Sequence, residues 1–241
     1  MPKNYIMQGN RREQIPLVRF CQLGDCENVQ KLLKQGVSPN SVGSFGWTAL
    51  QEAANEGHSA VVSLLCLQGD CRSDLNYLGS AGETALHKCT VNDDAKTMEV
   101  LLSLGSEVEV RNTGGHSALH VATYHDNFEA VRLLLSYNAD VILCDRWNQT
   151  PLHRAAARGC ISVVQLLLDH RSDVFLTHDQ GFTPLHLAAA WGSVPTVGLL
   201  LAAGSDINAL NRNRKTAADV GQSAEASLAI HDVACQAPKL Q

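Results

Sequence analysis

Apolar residues between positions 150 and 170 recur in two short runs, each with the spacing of one face of a helix. Thr150 is suited to be the N-cap of the first run, and Pro151 stands at the first helical position. Gly159 fits the left-handed residue that ends this helix, so a second helix begins just beyond it. Because neither helix can bury its apolar face alone, the pair must pack against similar neighbours. The inward-facing positions are Leu152, Ala155 and Ala156 in the first helix and Ile161, Val164, Leu167 and Leu168 in the second.

The same pattern is repeated along the chain. Its anchor position, held here by Thr150, recurs at 15, 48, 84, 117, 150, 183 and 216. Successive anchors are 33 residues apart except 48 and 84, which are 36 apart. A fixed period of this length is typical of a solenoid of stacked units, which offers a long binding surface rather than an enclosed active site.

Several motifs recur at fixed distances from the anchor. Thr-Pro-Leu-His stands intact at 150–153 and 183–186, and Gly159 and Gly192 follow nine residues after their anchors. These motifs resemble the ankyrin repeat, over roughly residues 15–230. The resemblance implies an all-α solenoid of about seven helix-turn-helix repeats, each with a projecting β-hairpin-like finger. We expect an N-terminal segment at 1–14, the repeat array at 15–236 with its first and last repeats acting as caps, and a C-terminal tail at 237–241.

Two units depart from the pattern at the end of their second helix. Asn138 and Arg171 hold the place where glycine stands in other units. Arg171 would be strained by about 1–2 kcal/mol in a left-handed conformation, unless its turn differs. The 36-residue spacing requires three extra residues, which we place between Gly69 and Asp74. The glycines at this position are Gly36, Gly69, Gly105 and Gly204.

Composition narrows the classes of partner. The 241 residues carry a formal net charge of −5 and a pI near 6.0, which gives no electrostatic reason to expect nucleic-acid binding. No run approaches the roughly 18 apolar residues that cross a bilayer, and the first residues lack the apolar core of a secretion signal. We therefore expect no nucleic-acid or membrane partner, and a cytoplasmic and/or nuclear location.

The chain offers no constellation typical of catalysis or metal binding. A histidine recurs three residues after the anchor in four units, and four equivalent residues at one repeat position indicate a structural role. The ankyrin resemblance implies that this histidine bonds the turn backbone of its own or an adjacent repeat. The 8 cysteines include no Cys-x-x-Cys pair, so we interpret them as reduced structural thiols. We predict no enzyme activity, no cofactor and no bound metal. The four histidines are His87, His120, His153 and His186.

The resemblance places partner contacts at the finger tips and the exposed ends of the first helices, on the concave side of the stack. All 3 tryptophans of the chain fall at these positions, where the apolar core needs none of them. Exposed large aromatics are the usual anchors of interfaces. Basic residues collect toward the C-terminal repeats, which favours a partner with an acidic segment there. The partner-binding candidates are Phe45, Trp47, Tyr124, His125, Arg146, Trp147, Arg158, Phe182, Trp191 and Arg212.

Two alternatives to a partner-binding module stay open. The aromatic rings would suit a passive structural scaffold if they packed on neighbouring fingers and stiffened the array. Some ankyrin proteins are substrate receptors of ubiquitin ligases, through an appended recruitment box. We see no C-terminal extension of adequate length for such a box, which disfavours this second alternative.

Overall fold

The structure is a computed structural model that describes residues 16–43, 45–67 and 74–236, the side chains of 233–236 excepted. Fourteen helices occupy this part of the chain, as seven consecutive pairs. The predicted all-α architecture of paired helices is confirmed. The helices are α1 (Pro16–Leu23), α2 (Cys26–Lys34), α3 (Ala49–Asn55), α4 (Ser59–Leu67), α5 (Ala85–Val91), α6 (Ala95–Ser103), α7 (Ala118–Tyr124), α8 (Phe128–Ser136), α9 (Pro151–Arg158), α10 (Ile161–Asp169), α11 (Pro184–Trp191), α12 (Val194–Ala202), α13 (Ala217–Val220) and α14 (Ala224–Gln236).

The helices stack in two parallel rows. Each odd-numbered helix contacts the next odd-numbered helix, and we call this series the first row. The even-numbered helices form the second row in the same way, and the two helices of each pair also contact each other. The core lies between the rows, where each fully buried leucine contributes about 1.5–3 kcal/mol. One leucine in each of the first six repeats, two residues after the anchor, is at most 1% exposed, namely Leu17, Leu50, Leu86, Leu119, Leu152 and Leu185.

The anchor residues start the first-row helices. In five repeats the anchor threonine oxygen accepts a hydrogen bond from the backbone N–H three residues later, at 3.2–3.4 Å. This bond satisfies one of the free N–H groups at the helix start and stabilises the helix by about 1 kcal/mol. The five are Thr48, Thr84, Thr150, Thr183 and Thr216.

Six loops, which we call fingers, lead from a second-row helix to the next first-row helix. Each is closed by a bond from the backbone N–H five residues before the anchor to the carbonyl one residue before it, at 2.8–3.1 Å. The expected hairpin-like fingers are therefore tight turns, and the described residues contain only one β-type pairing, the isolated bridge between Val42 and Thr48. The fingers are 43–47 (with residue 44 outside the described part), 79–83, 112–116, 145–149, 178–182 and 211–215.

Most of the fingers are bonded to one another in sequence. The N–H four residues before an anchor donates to a carbonyl of the preceding finger at 3.0–3.3 Å in four successive cases. Five fingers, from 79–83 to 211–215, therefore form one hydrogen-bonded row along the first-row helices. The donors are Thr113, Arg146, Asp179 and Arg212, and the acceptors are Ala81, Gly114, Trp147 and Gln180.

The two non-glycine residues at the second-helix ends adopt the left-handed conformation. Asn138 has φ 61° and Arg171 has φ 62°, in the same left-handed region as the 84° to 93° of their glycine counterparts. The turn at Arg171 therefore keeps the geometry of the other repeats, and its strain remains. Gly69 and the predicted three-residue insertion before Asp74 lie outside the described residues.

The last repeat differs from the others. Its first helix, α13, has only 4 residues, whereas α14 has 13. Ala226 and Ile230 of α14 are buried against the preceding repeat. Across the described residues, no helix is both long enough and apolar enough to span a bilayer.

Candidate partner-binding surface

The fingers and the C-terminal ends of the first-row helices form one continuous strip, which we call the finger surface. Eight of the ten candidate residues are exposed there, and Trp47 and Phe182 are half-buried. Large apolar side chains exposed in this way mark interaction sites when they lie together. The eight are Phe45, Tyr124, His125, Arg146, Trp147, Arg158, Trp191 and Arg212.

The middle of the finger surface contains a cleft of about 380 Å³. The structure brings three of the candidates, Tyr124, His125 and Trp147, into its lining. Trp147 is 52% exposed and Tyr124 is 45% exposed, so a partner protein can contact both rings. His116 lies beside Trp147, with 5.7 Å between the ring centroids. This cleft combines residues from the third, fourth and fifth repeats, which only the stacking brings together.

A buried ion pair supports the Trp147 finger from below. The Asp145 carboxylate accepts the backbone N–H of Trp147 at 2.8 Å and of Gln149 at 2.9 Å. Arg154 Nη2 lies 2.6 Å from Asp145 Oδ2 and 2.6 Å from His116 Nε2. Burial opposes ionisation of Asp145, but hydrogen bonds from His116, Arg154 and the finger N–H groups outweigh it and hold its pKa well below the usual range. The finger that carries Trp147 is thereby held in one conformation.

Basic groups surround the Tyr124 ring. The Arg158 guanidinium carbon is 4.7 Å from the ring centroid, a cation–π distance, and His125 packs edge-on at 5.3 Å. Partial burial and the nearby Arg158 charge lower the pKa of His125, which favours its neutral form. This part of the surface therefore carries positive charge from Arg158.

The sixth repeat contributes two aromatic residues in different settings. Trp191 is 60% exposed at the end of α11 and stands over the turn of the preceding repeat at Gly159. Phe182 is stacked on His178 with centroids 5.2 Å apart and packs against His186 at 5.5 Å. Trp191 is thus available to a partner, whereas Phe182 also stabilises its own finger.

Trp47 leans on the neighbouring finger. Its indole N–H donates to Ser80 Oγ at 3.1 Å, and Lys88 Nζ lies 3.6 Å from the ring centroid. Trp147 and Trp191 also contact the preceding repeat, at His116 and Gly159, but unlike Trp47 they keep more than half of their surface exposed. Phe45, in the same finger, is 67% exposed.

The two remaining candidates are arginines on the later fingers. Arg146 and Arg212 are exposed, and each uses its backbone N–H to bond the preceding finger. Neither side chain forms an ion pair within the described part of the chain. Their positive charges are therefore uncompensated at the tips of the fingers.

The four repeated histidines bridge successive repeats, as expected. Each Nδ1 accepts the backbone N–H of its own anchor at 3.2–3.3 Å. Each Nε2 donates to a finger carbonyl of the next repeat at 3.0–3.2 Å. This pair of bonds requires a neutral ring. Burial lowers the pKa of all four, to about 4 for His120 and His153.

Six cysteines of the described residues are free thiols. Burial raises the pKa of Cys21 and Cys160 to about 12 and of Cys66 to about 11, so these three are protonated at neutral pH. Cys71 lies outside the described residues. No group of three or more His, Cys, Asp or Glu in the described ranges is placed to hold a metal ion.

The second row carries an apolar groove that sequence reasoning did not single out. It has a volume of about 390 Å³ and is lined by Phe128, Ile161, Leu166 and Leu199. Phe128 is 38% exposed and Ile161 is 46% exposed, so the prediction that Ile161 faces inward is wrong. These two residues provide a matched comparison for the tryptophans, because they are apolar, exposed and on the other side of the stack.

A family profile described as "Ankyrin repeats (3 copies)" matches residues 17–112, 71–145, 96–178 and 119–211. The chain belongs to the ankyrin repeat family. Ankyrin repeat domains in general mediate protein–protein interactions and are not catalytic.

Two solved ankyrin repeat domains share the arrangement of this array. The ankyrin repeat domain of Bcl-3, described as a unique member of the IkappaB protein family, superposes with a TM-score of 0.81 and 27% identity over 92% of this chain and 100% of that one. The human ASB11 ankyrin repeat domain gives a TM-score of 0.81 and 26% identity over 91% of this chain and 97% of that one.

One curated relative matches this chain over a small part of a much longer protein. "Inactive serine/threonine-protein kinase TEX14" of Mus musculus is 29% identical over 96 residues. Those residues are 40% of this chain and 6% of that protein. The likeness therefore concerns a short stretch of repeats.

Proposed function

We propose that this chain is a non-catalytic interaction module that binds a segment of a partner protein along the finger surface, over the second to sixth repeats. The observation that carries the proposal is the pair of open indoles, Trp147 and Trp191, on fingers and helix ends that the array itself holds rigid. A rigid surface loses little conformational entropy on binding, so its exposed aromatic rings can act as anchors.

The exposed arginines of the later repeats indicate the charge of the partner segment that lies over them. Arg146, Arg158 and Arg212 project from the fifth repeat to the seventh finger, and none of them has an acidic partner within the described residues. We propose that an acidic segment of the partner lies over these later repeats. Such complementarity would accelerate association and weaken with salt.

The test is a double variant, Trp147→Ala with Trp191→Ala. Both rings are more than half exposed, so the far-UV circular dichroism and the melting temperature should stay unchanged. Loss of an interface anchor typically costs about 2 kcal/mol or more, so affinity for a captured partner should fall at least about 30-fold per residue.

The matched control is Phe128→Ala with Ile161→Ala, on the groove of the second row. This control should bind the partner as the unaltered chain does. A passive scaffold predicts the contrary, that the tryptophan variant keeps every interaction, and that result would refute the proposal.

A further inference from the structure

The N-terminal end of the finger surface contains a second cleft, of about 480 Å³. Two aromatic rings, Phe45 and Trp47, and two carboxylates, Glu52 and Glu56, line it together with Ser80. No lysine or arginine is among its lining residues. The cleft therefore joins apolar walls to negative charge, unlike the basic surface of the later repeats.

Glu52 has no counter-charge of its own. It is 5% exposed, yet its carboxylate forms no hydrogen bond and no ion pair within residues 16–43, 45–67 and 74–236. Charged residues at the same position of other repeats are paired, since Lys88 bonds Glu83 and Arg154 bonds Asp145. Glu52 is not among the residues with a fully buried polar atom that lacks a partner, so its carboxylate oxygens reach the cleft and are open to an incoming cation.

The nearest basic side chains do not neutralise the cleft. Lys88 stands over the Trp47 ring, but Glu83 already balances its charge. Arg19 of α1 holds the repeat position that Glu52 holds in α3. It is exposed and forms no ion pair with Glu52. Glu56 adds a second negative group at the rim, where one of its oxygens accepts from Asn55 Nδ2 at 3.0 Å.

We propose that this cleft binds one arginine or lysine side chain of the partner protein. The cationic head would lie against the Glu52 and Glu56 carboxylates, and the methylene stem would pack on Phe45 and Trp47. This inference rests on the proposed function and adds direction to it. The partner segment would run with its basic side chain over the second repeat and its acidic residues over the fifth to seventh.

The probe is a short peptide, acetyl-Gly-Arg-Gly-amide, titrated into the full ¹⁵N-labelled chain. The indole N–H resonance of Trp47 and the backbone amide of Ser80 should shift, with a dissociation constant on the order of millimolar for so small a ligand. The same peptide with lysine should also bind. A peptide with citrulline, which has nearly the shape of arginine but no charge, should bind at least about tenfold more weakly.

A variant and its matched control test whether Glu52 binds the peptide. Glu52→Gln should weaken binding of the arginine peptide at least about tenfold, without loss of thermal stability, because the buried carboxylate has no partner to lose. The control Glu27→Gln makes the same charge change at an exposed position of α2 and should bind normally. Equal binding of the arginine and citrulline peptides would overturn the inference even if the Glu52 variant failed to fold. That result would leave the tryptophan test of the finger surface untouched, so the two failures are distinguishable.

Discussion

The repeated histidines make the stability of the array depend on pH in a way that can be isolated. The perturbation is the double variant His120→Gln with His153→Gln. The chain itself shows that glutamine can replace histidine at this position, because Gln51 accepts from Thr48 N–H at 2.9 Å and donates to the Glu83 carbonyl at 2.6 Å. The variant therefore keeps both bonds and removes the titration.

The magnitude follows from the pKa values. Burial lowers the pKa of His120 and His153 from 6.5 to about 4, so the unfolded chain binds protons first as the pH falls. Stability is then lost between about pH 6.5 and pH 4, with no further loss from these groups below pH 4. From pH 7 to pH 5 each histidine should cost about 2 kcal/mol, or about 4 kcal/mol for the two.

The assay is urea unfolding followed by far-UV circular dichroism at pH 7 and pH 5, for both chains. The unaltered chain should lose about 4 kcal/mol more than the variant between the two pH values. His87 and His186 are common to both chains, and Asp145 stays ionised at pH 5 because its pKa is held low, so their contributions cancel. Equal losses in the two chains would show that these histidines are not held neutral, and the reasoning would be wrong.

Two further substitutions test the packing of the finger surface. Gly159→Ala should destabilise the chain by about 1–2 kcal/mol in thermal unfolding, because Gly159 has φ +68° and its new Cβ would meet the Trp191 ring at 2.9 Å. The control Gly198→Ala lies in the interior of α12 with open space around it, and it should be neutral or stabilise by up to about 1 kcal/mol. Equal effects of the two substitutions would contradict this account. Asp145→Asn should cost about 3 kcal/mol in urea unfolding at pH 7, because it leaves the Arg154 guanidinium buried without a counter-charge, and an unchanged midpoint would show that the pair is dispensable.

Much of the fold could be predicted from the sequence because its determinants are local. The anchor threonine, the following apolar positions and the left-handed residue at the helix end all lie within one repeat, and the period extends them along the chain. The structural role of the histidines followed from their shared position in the repeat, and their bonds to the turn backbone followed from the ankyrin resemblance. The bounds of α13 and α14 were less predictable, because Glu225 stands nine residues after the anchor, where Gly159 and Gly192 end the first helix in other repeats.

The surface was predicted less completely because its details depend on residues from different repeats. Trp47 was grouped with the open tryptophans, but its orientation is set by Ser80, 33 residues away. The ion pair of Asp145 and Arg154 was missed. The repeat position of Arg154 is apolar at Val121 and Leu187 but charged at Glu52 and Lys88, so a charge there did not single out this repeat. The isolation of Glu52 is a property of the assembled stack, and no sequence pattern shows it.

Site-specific photo-crosslinking tests the location of partner binding most directly. A photoreactive phenylalanine placed at Trp147 on the finger surface, or at Ile161 on the second row, reports which side of the stack a captured partner touches. We expect a crosslinked partner from position 147 and none from position 161. A partner that crosslinks from position 161 and not from position 147 would contradict the assignment of the finger surface.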